Sequence, residues 1–443
     1  MLGFKKDFWN NFFLYAIIFT MFTWDIFDYF FDNSPFIILL LLLVLYIIIY
    51  RKICYNKTFI CIAAYIFVHG CINILLKNNT ILLFIKQFGS IILCYLLYNS
   101  VAERVSIIKF FKAYYMIGFW TSVYGICEQF FALIHIRRFF NIPVLFLFTD
   151  YNYRTLGMVR IAGICREPSF LGYLYIPIVA LIIISLLSPY MIDEDLKKVL
   201  KPLKNIIILL CYLMTFSLVA YLGILITLFF VWIKKRNDIK KWSIFIVLFL
   251  MSLVCYLAIP DIHMRVKDTF CVFTTGQVSD TTNLSTYTYF DNYQVTKKNM
   301  KNSYYIGTGL GSFKLASQKY KLPGWGAEKI SLNGDDGNSS FFRIAAELGI
   351  IGVLLVVIYL YKYYIIGEKK AVTYMIPLLT VMILILLRQG NYTHGGIIML
   401  VCMYRKNYIE YKQGKEVMNI NEPESDSSYF SRLFWNRINK KMH

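Results

Sequence analysis

The chain has 443 residues, of which 58% are hydrophobic and 16% are charged, whereas an ordinary soluble domain carries about 25% charged residues. So few charged side chains cannot cover the surface of a soluble fold, which excludes a cytosolic enzyme, a disordered scaffold and a disulfide-stapled secreted domain. The formal net charge is +20, but the basic residues lie in short clusters between apolar runs, as in the cytoplasmic loops of a multi-pass membrane protein and not as in a nucleic-acid-binding surface.

Apolar segments suited to membrane crossing recur along the chain and predict an all-α polytopic membrane protein with about 11–12 transmembrane helices. With the N-terminus inside, the clusters Arg51–Lys57, Arg104–Lys112 and Lys197–Lys204 fall in the cytoplasm, whereas the first outer loop, 24–34, has three aspartates and neither Lys nor Arg. The predicted segments are 8–23, 35–50, 59–76, 80–98, 109–134, 169–188, 206–233, 242–259, 341–364, 372–388 and 391–404.

The segment 206–233 does not fit a single crossing. One crossing would place the cluster Lys234–Lys241 outside and would invert every later loop. As a helix the segment would be about 42 Å long, too long for one crossing and too short for two full ones. We therefore predict two half-helices, broken near Ser217–Gly223, that meet within the membrane. One long tilted helix is the alternative.

This topology divides the chain into six regions that alternate between membrane helices and loops. They are N-terminal transmembrane helices over 1–134, an outward-facing Arg-rich loop over 135–168, transmembrane helices over 169–259, a large outward-facing loop over 260–340, C-terminal transmembrane helices over 341–404 and a cytoplasmic tail over 405–443.

The outward-facing segment 135–168 contradicts the usual sorting of basic residues to the inside. Its five basic residues other than histidine are all arginine, and only Asp150 and Glu167 oppose them. Guanidinium groups bind phosphate and carboxylate through two parallel hydrogen bonds, so the segment predicts an anion site, with a lipid-linked pyrophosphate as the expected anion. Contact with anionic lipid is the alternative for Arg137 and Arg138. The remaining arginines are Arg154, Arg160 and Arg166.

The stretch RIAGICREPSFLG at 160–172 resembles the R-x-x-G-x-x-x-E-P-S-x-x-G signature of the bacterial O-antigen polymerase and ligase superfamily. It also makes sense as the start of a helix. Pro168 suits the first turn, the Glu167 carboxylate can accept from free backbone N–H groups, and Gly172 permits close helix packing. Two interpretations of Glu167 stay open, a structural cap and arginine partner or a catalytic acid.

Three further stretches agree with the superfamily in order and spacing. TFSLVAYLG at 215–223 resembles its T-x-S-R-x-x-x-x-G break, but Leu218 stands where many members have Arg, so that arginine's role does not carry over. IGTGLGSF at 306–313 resembles its G-x-G-x-G-S-F loop, and NSSFFRIAAELGIIG at 338–352 resembles the start of the span after the large loop. The resemblance covers roughly residues 110–404.

One departure from the superfamily separates its two branches. The ligase branch has a His just before that span, as a proposed base for the acceptor hydroxyl. The equivalent stretch here, LNGDDGN at 332–338, has none, and the only His of the large loop is His263 at its far end. This favours the polymerase branch. Asp335 and Asp336 are candidate bases, although NGDDGN is also typical of an ordinary turn or a cation-binding loop.

The candidate site residues combine the resemblance with the charges at the outer ends of the spans. Arg343 and Arg388 either snorkel or complete the anion site, His394 is a second candidate base, and the aromatic stretch around Tyr293 either stacks on sugar rings or forms the core of the loop. No metal ligands and no cofactor are expected. The predicted catalytic residues are Arg160, Arg166, Glu167 and Asp336, and the predicted substrate-binding residues are Arg154, Arg343, Arg388, His394 and Tyr293.

The resemblance implies a bacterial inner-membrane glycosyltransferase with its active site facing the periplasm. It would polymerise oligosaccharide repeat units linked to undecaprenyl pyrophosphate into O-antigen or a similar surface polysaccharide. In this reaction Arg160 and Arg166 would stabilise the leaving pyrophosphate without a metal. Its expected partners are these lipid-linked donors and acceptors, the bilayer and a chain-length regulator protein, with no nucleic acid. The alternatives are a ligase that transfers glycan to lipid A–core and a flippase for the same lipid-linked oligosaccharides, although the related halves typical of transporters are not seen.

Overall fold

The computed structural model of the chain describes residues 2–30, 34–134, 154–155, 158–234, 246, 256–257, 260–279, 282–324, 334–367 and 369–421. The described residues are nearly all helical, with one short antiparallel hairpin in which Arg154 pairs with Val159 and Thr155 pairs with Met158. The predicted all-α polytopic fold is thereby confirmed.

The helices of the described part are numbered here in chain order. They are α1 Leu2–Phe22, α2 Trp24–Phe30, α3 Ser34–Tyr50, α4 Lys57–Leu75, α5 Ile81–Arg104, α6 Ile107–Leu133, α7 Pro168–Leu187, α8 Glu194–Lys197, α9 Pro202–Leu213, α10 Leu218–Lys234, α11 Pro260–Thr275, α12 Leu284–Asn302, α13 Phe313–Tyr320, α14 Ser340–Lys362, α15 Lys369–Arg388 and α16 Ile397–Asn421. The strands are β1 Arg154–Thr155 and β2 Met158–Val159, and single 3₁₀ turns lie at Pro189–Met191 and His394–Gly396.

Five helices of the described part are long and apolar enough to cross a membrane, and three shorter apolar helices accompany them. Each predicted apolar segment overlaps a helix, or at 206–233 two, except 242–259, which lies outside the described residues apart from 246 and 256–257. The last segment, 391–404, was predicted too early, since α16 begins at Ile397 and continues to Asn421, so the first part of the predicted tail is helical. The five long helices are Lys57–Leu75, Ile81–Arg104, Pro168–Leu187, Ser340–Lys362 and Lys370–Arg388, and the shorter ones are Ser34–Tyr50, Pro202–Leu213 and Leu218–Ile233.

Large aromatic side chains fill the core between these helices. Many buried tyrosines satisfy their hydroxyl within the protein, as a buried polar group requires. Tyr114 donates to the Leu174 carbonyl at 2.8 Å, and Tyr404 donates to the Leu360 carbonyl at 2.9 Å. The largest fully buried side chains are Tyr46, Tyr98, Tyr114, Tyr115, Tyr173, Tyr175, Tyr212, Tyr404, Phe13, Phe22, Phe110 and Phe111.

Helices α7 and α15 form an antiparallel pair in the middle of this core. Tyr173, near the start of α7, accepts a hydrogen bond from Gln389, just beyond the end of α15, at 2.8 Å. Thr373, near the start of α15, donates to the carbonyl of Met191, just beyond α7, at 2.9 Å. The two helices therefore define two opposite ends of the bundle.

Each end of the bundle is named here after one residue. The His394 end is the end at which Tyr173 and Gln389 meet, since both contact His394. At the Arg405 end, Arg405 pairs with Glu103 near the end of α5, and two residues further along α16 Asn407 donates to a carbonyl in the first turn of α15.

The apolar run 206–233 is broken, as predicted, but slightly earlier than expected. Helix α9 ends at Leu213 and α10 begins at Leu218, and Phe216 between them has a φ of +44°. The Tyr212 hydroxyl donates to the Ala220 carbonyl at 2.7 Å and so holds the turn closed. Gly223, which we expected to mark the break, lies inside α10, where a Cβ would stand 2.8 Å from a side-chain carbon of Ile176.

The chain reverses direction at this break. In α9, Asn205 accepts from Tyr115 of α6 and Cys211 faces Gly125, so α9 runs parallel to α6 towards the His394 end. Helix α10 then follows α7, because Gly172 faces Ala220 and, one turn on, Ile176 of α7 faces Gly223 of α10. The prediction of a run that enters and returns agrees with this hairpin of two short helices.

A second break divides α14. It is filled by residues 303–312 between α12 and α13, called here the glycine-rich loop. Gly349 has a φ of +66°, outside the helical range. The amides of Thr308 and Gly309 donate to the carbonyls of Ala346 and Glu347, at 3.2 and 2.8 Å, while the amide of Ile350 donates to the Tyr305 carbonyl at 3.0 Å. The loop thus supplies the partners that the broken helix has lost, as backbone inside a membrane protein requires.

The region 260–340 contributes helices α11, α12 and α13, and α12 lies against the first half of α14. The Asn299 side chain donates to the Ala346 carbonyl at 2.9 Å, and the Thr296 hydroxyl donates to the Phe342 carbonyl at 3.4 Å. Val295 and Phe313 are fully buried beneath this contact. The loop region is therefore packed onto α14 on the same side as the glycine-rich loop.

Replacing Gly307 by Ala should destabilise the protein, because Gly307 has a φ of +91° and a Cβ would lie 2.5 Å from the Gly349 amide nitrogen. We expect a loss on the order of 1–3 kcal/mol, seen as a lower melting temperature in detergent. Gly89→Ala in α5 is the matched control, since nothing lies within 4 Å of its added Cβ, and it should leave the melting temperature unchanged or raise it. Equal melting of Gly307→Ala and wild type would contradict the contact.

Candidate functional site

Residues 160–166, called here the arginine segment, begin at the break between α9 and α10. The Ile161 amide donates to the Met214 carbonyl at 3.0 Å, and the Arg160 Nε donates to the Thr215 carbonyl at 3.2 Å. Both carbonyls are available because the helix stops there. The helix break and the arginine segment are therefore one structural unit.

Two carboxylates from distant helices hold the rest of the arginine segment by its backbone. The Gly163 amide donates to Glu128 of α6 at 2.9 Å, and Glu128 is 1% exposed. The Arg166 amide donates to Asp25 of α2 at 2.8 Å. A buried carboxylate is costly to leave without a donor, so these bonds fix where the chain on either side of Cys165 can lie.

Asp25 also contacts the imidazole of His394. The Asp25 Oδ1 lies 2.7 Å from Nε2 of His394, whose Nδ1 lies 2.6 Å from the Tyr173 hydroxyl. Gln389 donates to the same hydroxyl at 2.8 Å. These partners fit an imidazole that donates from Nε2 to Asp25 and accepts from Tyr173 at Nδ1. His394 is buried by this network, so the candidate base is enclosed by protein groups on both ring nitrogens.

The two partners of Asp25 change its acidity. Burial by itself raises the pKa of the Asp25 carboxyl, but the electrostatic attraction and hydrogen bond of His394, with the amide and charge of Arg166, outweigh burial and hold that pKa below its ordinary value. Asp25 is therefore ionised at neutral pH and provides the negative charge that joins the imidazole to the arginine segment.

The predicted arginines differ in how much of their guanidinium the protein encloses. Arg166 is exposed and Arg160 is half-buried. Arg388 is also half-buried, ends α15 and places its guanidinium 5.7 Å from the ring centre of Tyr289. Arg388 directly precedes Gln389, which bonds Tyr173, and the arginine segment is bonded at Arg166 to Asp25, which contacts His394. All three arginines therefore belong to the His394 end of the bundle.

Arg343 is different because its guanidinium is buried in an ion pair. Its Nε lies 2.9 Å from Glu347, one turn further along α14, and its two other nitrogens donate to the Gly390 carbonyl at 3.0 Å and to Gln87 of α5 at 2.7 Å. The Tyr392 hydroxyl donates to the second oxygen of Glu347 at 3.0 Å. The structure thus uses Arg343 to tie α5, α14 and the turn after α15 together.

Glu167 and Pro168 start α7, as the sequence predicted, but the carboxylate of Glu167 does not cap the helix. Glu167 occupies the N-cap position with extended backbone and makes no side-chain capping bond, while Pro168 takes the first helical position. The Glu167 carboxylate is exposed and accepts instead from the Ser169 hydroxyl at 3.1 Å. Of the two interpretations of Glu167, the structure does not show the side-chain cap, and the catalytic hypothesis stays a prediction.

Asp336 lies in a tight turn just before α14. Its Oδ1 accepts from the Asn338 amide at 3.0 Å, and Gly337 and Asn338 have φ values of +71° and +52°. The neighbouring Asp335 pairs with Lys314 at 3.1 Å. The turn interpretation of this acidic pair is therefore what the structure shows, and the catalytic hypothesis for Asp336 stays a prediction.

The aromatic stretch around Tyr293 packs within the loop region. The Tyr293 ring lies 5.6 Å from Phe273, 6.1 Å from Phe290 and 6.1 Å from Phe342 between ring centres. These contacts favour the interpretation in which Tyr293 belongs to the core of the loop. The backbone of Arg154 lies in β1, and its side chain, like Arg137 and Arg138, is outside the described residues.

Several residues at this site were not identified as site residues from the sequence. They are Asp25, Glu128, Tyr173 and Gln389, which are far apart in the chain and meet only in the fold. Glu128 alone gave a usable signal, since an acidic residue inside an apolar run needs a partner. Among the described residues, no three His, Cys, Asp or Glu side chains form a group that could hold a metal ion.

Asp25→Asn should loosen the arginine segment, because two donors, His394 Nε2–H and the Arg166 amide, face Asp25 and an amide offers only one acceptor oxygen. We expect a loss of stability on the order of 1.5–3 kcal/mol, measured as a lower melting temperature in detergent. Asp7→Asn, an exposed position in α1 whose partner Lys109 is also exposed, is the matched control. If both variants melt like wild type, the bonds to Asp25 do not hold the segment.

Wild type and Asp25→Asn also give a test of pH dependence. Because the native pKa of Asp25 is lowered, its stabilising contribution is present above the ordinary value near ~3.9 and is lost as the pH falls through the native value. The difference in melting temperature between wild type and Asp25→Asn should therefore be largest above pH ~5 and should shrink below pH ~4. A difference that stays constant across this range would assign the effect to shape and not to charge.

The comparison with known protein families supports the resemblance in part of the chain. A family model described as O-Antigen ligase matches residues 203–357, which is roughly a third of the chain. The match covers α9, α10, the loop helices and most of α14, and the arginine segment lies outside it. No curated protein matches the chain at a significant level. This match supports a place in the O-antigen polymerase and ligase superfamily and does not separate the two branches.

Proposed function

We propose that this protein joins oligosaccharide repeat units carried on undecaprenyl pyrophosphate into a surface polysaccharide such as O-antigen, at the periplasmic face of the bacterial inner membrane. The observation that carries this proposal is the backbone-anchored arginine segment, which holds Arg160 and Arg166 at the same end of the bundle as Arg388. A diphosphate ester is the anion that this set of guanidinium groups suits best.

The distribution of basic residues supports the orientation of the proposal. The Arg405 end carries Arg104 beside Glu103, together with the cluster Lys197–Lys204, which follows the end of α7. Such clusters stay in the cytoplasm under the positive-inside rule. The His394 end then faces the periplasm, where lipid-linked repeat units are assembled in the proposed reaction.

In the proposed reaction, a hydroxyl oxygen of the acceptor unit forms a new bond to the anomeric carbon of the donor. The bond between that carbon and the pyrophosphate oxygen breaks, and the pyrophosphate leaves with the electron pair. Guanidinium groups that are already fixed in place stabilise this charge without reorganising during the reaction. Arg160 and Arg166 are assigned this role, and Arg388 supports them.

The acceptor hydroxyl loses a proton in the same step, and the base must be an accessible carboxylate. Glu167 is exposed and directly follows Arg166, so it is the preferred base. Asp336 is the second candidate, although its carboxylate already accepts a backbone amide. His394 and Arg343 are buried and bonded to protein groups, and the proposal gives both a positioning role without direct contact to substrate.

A ligase that transfers finished glycan to lipid A–core is the second candidate function, because the matching family model carries that description. Both reactions expel the same lipid pyrophosphate, so the arginine segment serves either. They differ in the acceptor, and the absence of His from residues 332–338 favours polymerisation.

Arg160→Ala and Arg166→Ala should abolish long-chain polymer when they replace wild type in a deletion strain. If each guanidinium stabilises charge as strongly as an oxyanion-hole donor, the rate should fall on the order of 10²–10³-fold. The measurement is the glycan ladder on a gel, at equal protein level in the membrane. Lys52→Ala, an exposed basic residue at the Arg405 end, is the matched control and should leave the ladder unchanged. Undiminished ladders in both arginine variants would overturn the assignment.

The deletion strain itself separates the candidate functions. Loss of a polymerase should leave surface glycan of single repeat units, whereas loss of a ligase should leave polymer on its lipid carrier. Purified protein should extend a lipid-linked repeat unit with no ion gradient applied, which a flippase would not do. Accumulated lipid-linked polymer in the deletion strain would contradict polymerisation and favour the ligase.

A further inference from the structure

The C-terminal halves of α12 and α13 present one basic surface, called here the lysine surface. All of its lysines are exposed. In residues 284–324 the only acidic residue is Asp291, which is 6% exposed and therefore contributes little surface. The lysine surface consists of Lys297, Lys298, Lys301, Lys319 and Lys321.

Direct contacts join the two helices into this one surface. The Asn302 side chain at the end of α12 donates to the Tyr320 hydroxyl at the end of α13, at 2.7 Å. The Leu322 amide donates to Asp291 of α12 at 2.7 Å. Burial raises the pKa of Asp291 above its ordinary value, although the Leu322 amide and the charges of Lys321 and Lys298 act to lower it. The two bonds bring the end of α12 and the end of α13, with Lys321 directly after it, side by side.

The lysine surface faces away from the apolar helices. The opposite side of α12 is the side that bonds α14, through Thr296 and Asn299. Lys297, Lys298 and Lys301 lie on the remaining, exposed side of the same helix. A lipid head group at the bilayer surface is therefore a poorer fit to this surface than a soluble chain that approaches from outside.

A solvated protein surface usually mixes charges of both signs. Exposed groups of one sign create a field that attracts the opposite sign and accelerates its association. Here the lysines alternate with groups that can bond sugar hydroxyls, since Asn302 is exposed and Tyr320 is half-buried. The partner that fits is therefore a polyhydroxylated chain that carries negative charges.

We propose that the lysine surface binds acidic glycan, that is, repeat units that carry carboxylate or phosphate groups. This inference rests on the proposed function and names the substrate class of the loop region. The lysine surface holds the glycan part of a lipid-linked chain by salt-sensitive contacts, while the arginine segment receives its pyrophosphate. The ammonium groups bind the acidic sugars, and the Asn302 and Tyr320 side chains bond neighbouring hydroxyls.

The test measures binding of polygalacturonate to the full-length protein in a neutral detergent, with dextran of matched length as the uncharged probe. Wild type should bind polygalacturonate, more weakly as salt rises, and should not bind dextran. Lys298→Gln, Lys301→Gln and Lys319→Gln combined should weaken binding about tenfold or more. Lys52→Gln, Lys197→Gln and Lys198→Gln combined remove the same charge from the Arg405 end and should bind like wild type.

Equal binding by the two triple variants would overturn the proposal, since net charge alone would then explain the attraction.

A third arm uses nanodiscs with and without phosphatidylglycerol. If the surface variant loses this lipid and keeps polygalacturonate, the surface binds lipid and the proposal fails. If polygalacturonate binding follows the lysine surface while the deletion strain shows no polymerisation defect, the binding site stands and the proposed function fails. If the deletion strain shows the polymerisation defect while the surface variant keeps polygalacturonate binding, only the lysine-surface proposal fails.

Discussion

The anchoring of the arginine segment by its own backbone is the interaction on which the candidate site depends. An arginine side chain is long, so its guanidinium is only as well placed as the peptide that carries it. Asp25, which is ionised, accepts from the Arg166 amide, and Glu128, which is buried, accepts from the Gly163 amide. Because each carboxylate comes from a different helix, the segment cannot move unless α2 or α6 moves with it.

Each of the two helix breaks attaches another segment of the chain to the helical bundle. At the first, the carbonyls of Met214 and Thr215 lose their helical partners and accept from the arginine segment. At the second, Gly349 leaves two carbonyls of α14 free, and the glycine-rich loop donates to them. Irregular backbone inside a membrane protein is stable only where other protein groups satisfy it. Each break is therefore also an attachment point, and together they fix the arginine segment and the large loop to the helical bundle.

The sequence predicted those features that follow from local pattern. Composition predicted the helical membrane fold, and the basic cluster at Lys234 predicted that the chain turns back after α9, because charge sorting is a property of short segments. Pro168 predicted the start of α7. The partners of Asp25 could not be predicted, because they lie 141 and 369 residues away along the chain. Arg343 was expected to snorkel or to complete the anion site, and only the fold shows that its guanidinium is buried in an ion pair with Glu347 one turn away.

Burial divides the arginines of this site by what they can do. A guanidinium such as that of Arg343, bonded to a carboxylate, a carbonyl and an amide oxygen, has satisfied its donors within the protein and stabilises the arrangement of helices. An exposed guanidinium such as that of Arg166 is hydrated and can exchange water for a ligand at its donors. Charge stabilisation needs both kinds, since the exposed group acts strongly only when its backbone is held still. In the proposed function, the buried network around Asp25 and His394 supplies that rigidity to the exposed Arg166, whose amide Asp25 accepts.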